Sequence, residues 1–139
     1  MRILPRLLEL ADRVRPPRTA SAHCDLPCGV YDPAQARIEA ESVQKIIEKY
    51  HASSDEVFRQ RALIIKEHRA DLVKHHLWVL WTDYFKPEHL EQFPELHDLF
   101  WRATKAAGQA KQTTDAANAE KLLELIDEIA TVFTKTKQG

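Results

Sequence analysis

The chain has 139 residues, with 20 basic against 21 acidic side chains, only 3 glycines and 2 cysteines. That length allows one domain with a real core plus an extension. The balanced charge implies neither a nucleic acid nor an anionic membrane as partner. No apolar run approaches the roughly 20 residues that span a bilayer, and two cysteines four apart make no disulfide framework. Few glycines with abundant Ala, Leu, Glu, Lys and Ile predict an all-α protein.

Residues 1–22 carry five arginines against Glu9 and Asp12, so the remainder of the chain is mildly acidic. A basic start and the small-residue ending Ala20-Ser21-Ala22 have the outline of a secretory signal. However, Pro5, Arg6 and Glu9 interrupt the apolar stretch, leaving no hydrophobic core of 7 to 15 residues. An organelle transit peptide is usually poor in acids, and this segment has two. Pro16-Pro17 stops any helix begun at residue 3. A disordered tail is the plain alternative. A removable pro-segment that leaves the protein cytoplasmic accounts better for the small-residue ending, and a peptidase cut after Ala22 makes His23 a new amino terminus.

His23-Cys24-Asp25-Leu26-Pro27-Cys28 places two thiols and an imidazole within six residues. Soft thiolates with imidazole suit zinc, copper or nickel. A local disulfide, half of a zinc site, and two incidental thiols are the alternatives. Zinc calls for four ligands, and there is no second cysteine pair, although a histidine could complete the set.

From residue 32 onward the pattern is helical. Asp32-Pro33 starts the first helix, with Ile38, Val43, Ile46, Ile47 and Tyr50 at helical spacing. Ser53-Ser54-Asp55 breaks it and caps the next, which is predicted from Glu56 to about Tyr84 with Phe58, Ala62, Ile65, Leu72, Val73, His76, Val79 and Leu80 recurring. Pro87 ends that helix. Phe93-Pro94 opens a shorter one, predicted to run out at Gly108. Thr113-Thr114-Asp115 caps the last, striped by Leu122, Leu125, Ile126, Ile129, Val132 and Phe133. Short connections arrange these as an antiparallel four-helix bundle over residues 32–139. Trp78, Trp81, Trp101 and Phe100 exceed what a small bundle readily hides, which predicts an oligomer. His68, His75 and His76 lie along one helix without an acid placed in the Glu-x-x-His manner, and read as core or interface histidines. No phosphate loop, dinucleotide fingerprint or Ser-His-Asp order is present.

Taken in one pass, His23-Cys24-Asp25-Leu26-Pro27-Cys28-Gly29-Val30-Tyr31-Asp32-Pro33 resembles the nickel-dependent superoxide dismutase family. The likeness continues at residues 34–42, at Lys74-His75-His76-Leu77 and at Asp83-Tyr84-Phe85-Lys86-Pro87. It implies a precursor whose segment 1–22 is removed by a maturation protease, a hook over residues 23–31, and a helical subunit of a homohexamer. It implies one nickel ion per subunit, held by the amine and imidazole of His23, the amide nitrogen and thiolate of Cys24, and the thiolate of Cys28. The implied activity is disproportionation of superoxide to oxygen and hydrogen peroxide by Ni(II)/Ni(III) cycling.

By the same resemblance Glu39 orients the histidine ring, with Arg69 behind it. Asp25 and Tyr31 restrict access at the hook, Lys86 favours approach of an anion, and the bond before Pro27 is cis. Amine, amide nitrogen and sulfur on consecutive residues close two fused five-membered rings. An α-amine, with an ordinary pKa near 8, needs little shift to become a neutral ligand. A non-catalytic nickel or copper carrier is the alternative that the same hook allows.

Overall fold

The structure is a computed structural model that describes residues 29–138. The segment 1–28, and with it His23, Cys24, Asp25, Cys28 and the Pro27 peptide bond, lies outside the described residues. Within them the chain is all-helical: α1 (Ala34–Ala52), α2 (Glu56–Val79), a π-helical turn (Leu80–Tyr84), α3 (Pro87–Gln92), α4 (Leu96–Gln112) and α5 (Ala116–Thr136).

Three of the four long helices, α1, α2 and α5, start where a short acid takes up orphan backbone donors. The Asp32 carboxylate accepts the Ala34 N–H at 2.8 Å. Asp55 accepts those of Val57 and Phe58, and Asp115 accepts that of Ala117 at 3.0 Å. The helices pack as a ring in which α1 meets α2, α2 meets α4, α4 meets α5, and α5 returns to α1. Short connections make neighbours antiparallel. The start of α1, the end of α2, the start of α4 and the end of α5 therefore share one end of the bundle.

The core is filled by Val43 and Ile47 of α1, Val73 and Leu77 of α2, Leu96 and Leu99 of α4, and Leu122, Leu125, Ile126 and Ile129 of α5. Three apolar residues expected to face it do not: Ile38 is 60 % exposed, Ile65 42 % and Phe58 39 %. Ala36, Ala40 and Ala70 hold buried positions instead, alongside the expected Ala62. A stripe judged by its large side chains was therefore partly misplaced, because small alanines fill buried positions of α1 and α2.

Two boundaries also differ from expectation. The second helix does not stay α-helical to Tyr84. Phe85 N–H bonds to Leu80 O at 3.0 Å, five residues back, and the wider π turn takes one more residue per turn. Pro87 ends this run but also begins α3, a six-residue helix the sequence did not announce, because its missing N–H costs nothing at a first helical position. The fourth helix passes through Gly108 to Gln112. A Cβ at Gly108 would stand 3.4 Å from Lys74 Nζ, an ordinary contact, and the glycine sits inside α4 without stopping it.

Of the surplus aromatics, Phe100 is core. Trp78 and Trp101 are more than half exposed, and with Trp81 they border a shallow groove of about 270 Å³ between α2 and α4.

Candidate metal centre

Residues 29–31 carry the chain from the cysteine segment onto the bundle. Gly29 takes φ +70°, a left-handed conformation that costs other residues more. Two residues on, the Tyr31 ring packs against Tyr84 with centroids 5.9 Å apart. Tyr84, delivered by the π turn, is the centre of an aromatic cluster. Phe133 of α5 lies 4.5 Å away, Phe85 5.0 Å, and the His89 imidazole stacks at 5.6 Å and 19°. His89 Nδ1 accepts the Lys86 backbone N–H at 3.1 Å. With that nitrogen committed as acceptor, a neutral ring carries its proton on Nε2.

Tyr84 Oη lies 2.7 Å from Thr136 Oγ1. Lys137 Nζ sits 4.5 Å from the Phe133 ring centroid, so the last turn of α5 forms one wall of this end of the bundle. The Lys86 side chain is exposed, two residues beyond Tyr84.

A second cluster joins α1 to α2. Arg69 Nη1 donates to both Glu39 carboxylate oxygens, at 3.2 and 3.0 Å. The Glu39 side chain is only 14 % exposed and Arg69 is 41 % exposed. A pair this open to water adds at most about 1 kcal/mol to stability. What it does firmly is fix the carboxylate in one orientation, with lone pairs left over for a further donor.

The structure thus brings Tyr31 to Tyr84, and Glu39 to Arg69, and leaves Lys86 at the solvent edge. His89, Phe133 and Thr136 were not singled out from sequence. The histidine and the threonine carry no motif, and Phe133 read only as part of a core stripe. His68 is exposed, while His75 and His76 are half-buried with their rings 5.5 Å apart. Among the described residues no group of three or more His, Cys, Asp or Glu side chains converges as a metal site. No helix among them is long and apolar enough to cross a membrane.

The soft donors of the chain are Cys24, Cys28 and the adjoining His23, and this set fits a thiophilic divalent metal better than magnesium or calcium. A helical bundle whose chain leads from a thiol- and imidazole-bearing segment straight into an aromatic cluster has the make-up of a metalloprotein. Comparison with known proteins says which. Residues 18–137 match the family model described as nickel-containing superoxide dismutase. A superoxide dismutase [Ni] from Streptomyces seoulensis is 60 % identical over 119 residues, covering 86 % of this chain and 91 % of its own. One from Streptomyces coelicolor is 55 % identical over 124 residues, covering 89 % and 95 %.

A crystal structure of a Ni-containing superoxide dismutase with oxidised-state nickel ligation superposes with a TM-score of 0.82 at 59 % identity, covering 84 % of this chain and 100 % of that one. The chain belongs to the nickel-containing superoxide dismutase family. It is an enzyme acting on superoxide with nickel as cofactor, which sets aside the reading as a non-catalytic carrier.

Proposed function

We propose that the nickel is held by His23, Cys24 and Cys28 in a hook completed only when segment 1–22 is cut away. The observation that carries this is a tether. Cys28 is joined to Tyr31 by three residues of chain, which span at most roughly 11 Å, and this short link supports a hook that works next to the Tyr84 cluster. Nickel bound by anionic sulfur and amidate donors supplies a one-electron couple that alternately oxidises and reduces superoxide.

The chain's own residues do the rest. Glu39, pinned by Arg69, is the carboxylate that takes the His23 ring N–H and sets its orientation. Tyr31 and Asp25 flank the hook and limit what enters beside it. Lys86 at the rim adds positive potential on the approach of an anion. Glu39→Gln keeps the shape but weakens the acceptor and its pairing with Arg69. We expect it to cost about 10- to 100-fold in activity, read in a superoxide assay normalised to bound nickel.

The division into pro-segment 1–22, hook 23–31 and bundle 32–139 belongs to the same proposal, as does a maturation protease that cuts after Ala22. The broken apolar stretch of residues 3–10 supports a cytoplasmic location. The exposed Trp78 and Trp101 support assembly of the subunits into a homohexamer.

The test is the cut itself. In the uncut chain the His23 nitrogen is an amide, and the amine ligand does not exist. The chain starting at Met1, given nickel, is expected to be inactive, and one starting at His23 active. Equal activity of the two sinks the amine assignment.

A further inference from the structure

We infer that Thr136, at the end of α5, is a positioning residue: it takes the proton of the Tyr84 phenol and so leaves Tyr84 a hydrogen-bond acceptor toward the hook. The inference rests on the proposed placement of residues 23–28 beside Tyr31. Its basis is a proton count. Thr136 Oγ1 lies 2.7 Å from Tyr84 Oη and 2.7 Å from the Phe133 carbonyl oxygen. Threonine has one hydroxyl proton, and a carbonyl has none to give. The Thr136 proton must therefore go to Phe133 O, since otherwise two bare oxygens would face each other at 2.7 Å. The bond between the two hydroxyls then has only one polarity, with Tyr84 donating and Thr136 accepting.

The ring cannot turn to escape this, being packed between Phe133, Phe85, His89 and Tyr31. With its single proton committed inward to α5, the phenol offers its remaining lone-pair capacity to whatever faces it from the open side. A water or a protonated dioxygen product is held there by donating to Tyr84. Tyr84 cannot itself donate to superoxide without first breaking its bond to Thr136. The Thr136 hydroxyl is thus a relay of orientation, from a helix carbonyl to the phenol, and it touches no reacting atom.

Thr136→Val keeps the branched shape and deletes the acceptor, while Thr136→Ser keeps the hydroxyl. The readouts are the tyrosine Raman doublet, which separates donor from acceptor phenols, and steady-state dismutation by the nickel-loaded enzyme. Only three tyrosines contribute to the doublet, and Tyr84→Phe identifies the Tyr84 component. The expected result is that Val shifts this component and Ser restores it. Val should also lower kcat/KM about five-fold, the worth of one neutral hydrogen bond, with no further loss when added to Tyr84→Phe.

An unchanged doublet in the Val variant overturns the inference. So does a kinetic loss that persists in the Tyr84→Phe background, because that is the mark of a purely structural role. If the wild-type nickel-loaded enzyme itself fails to dismutate superoxide, the proposed hook fails instead, and the Raman doublet still decides the polarity of the Tyr84–Thr136 bond.

Discussion

Cys24→Ser and Cys28→Ser are each expected to reduce superoxide dismutation to the uncatalysed level and to lose bound nickel on gel filtration. The change is one atom, and its effect is chemical. A thiol with an ordinary pKa near 8.5 becomes a thiolate on a metal near neutral pH. A serine hydroxyl stays protonated there and offers a harder, neutral oxygen. Two anionic sulfurs are what bring a nickel couple into the range where superoxide can both reduce and oxidise it, and the loss of either removes that property along with affinity.

Neither serine should disturb the fold. Both cysteines precede α1, which is started by Asp32 and Pro33, so far-ultraviolet circular dichroism should match the wild type. A serine variant that retains nickel and full turnover would remove that cysteine from the ligand set.

The site and the fold were legible to different degrees, for identifiable reasons. Caps are local chemistry, so Asp32, Asp55 and Asp115 could be read directly as helix starts. The donor types and spacing of residues 23–28 are also local and visible in one dimension, but they left several alternatives open, and the ligand set came only from the family likeness. By contrast, the aromatic cluster joins Tyr31, Tyr84, His89 and Phe133 across four segments, and it depends on a π turn whose extra residue no spacing rule announced. The Tyr84–Thr136 bond links residues 52 apart in sequence, at the end of a helix where periodicity says only that Phe133 is apolar. The misassigned faces of α1 and α2 have a common cause. Ile38, Phe58 and Ile65 dominated the pattern by size, yet they are exposed while the small Ala36, Ala40 and Ala70 are buried.

That alanine register also locates the largest structural prediction. Ala62, Ala70, Val73 and Leu77 are buried on one face of α2, and Lys66 stands among them, only 2 % exposed. A lysine in a core register is a signal that was available in the sequence and went unused. Its ammonium reaches the open end of α4, donating to Ala110 O at 2.9 Å, to Lys111 O and to Thr113 O at 2.6 Å. It has three donors and three carbonyl acceptors. The last carbonyls of a helix lack partners within the helix and carry the negative end of its dipole, so one side chain from a neighbouring helix finishes α4.

Burial pushes the Lys66 pKa down from the ordinary lysine value, with Glu67 partly opposing. Holding the charge inside therefore costs free energy, which the three carbonyl bonds must offset. Lys66→Met removes the charge and its desolvation cost but strands those carbonyls. Each buried acceptor left without a donor costs about 1–3 kcal/mol, and those nearest solvent recover part of this by binding water. We expect a net loss of about 2–4 kcal/mol, seen as a fall in thermal midpoint of roughly 10 °C or more at matched protein concentration. Lys66→Ala should lose more, because it also leaves a cavity. If Lys66→Met is instead as stable as the wild type, the desolvation of the ammonium equals everything its three bonds return, and Lys66 adds no net stability to the bundle.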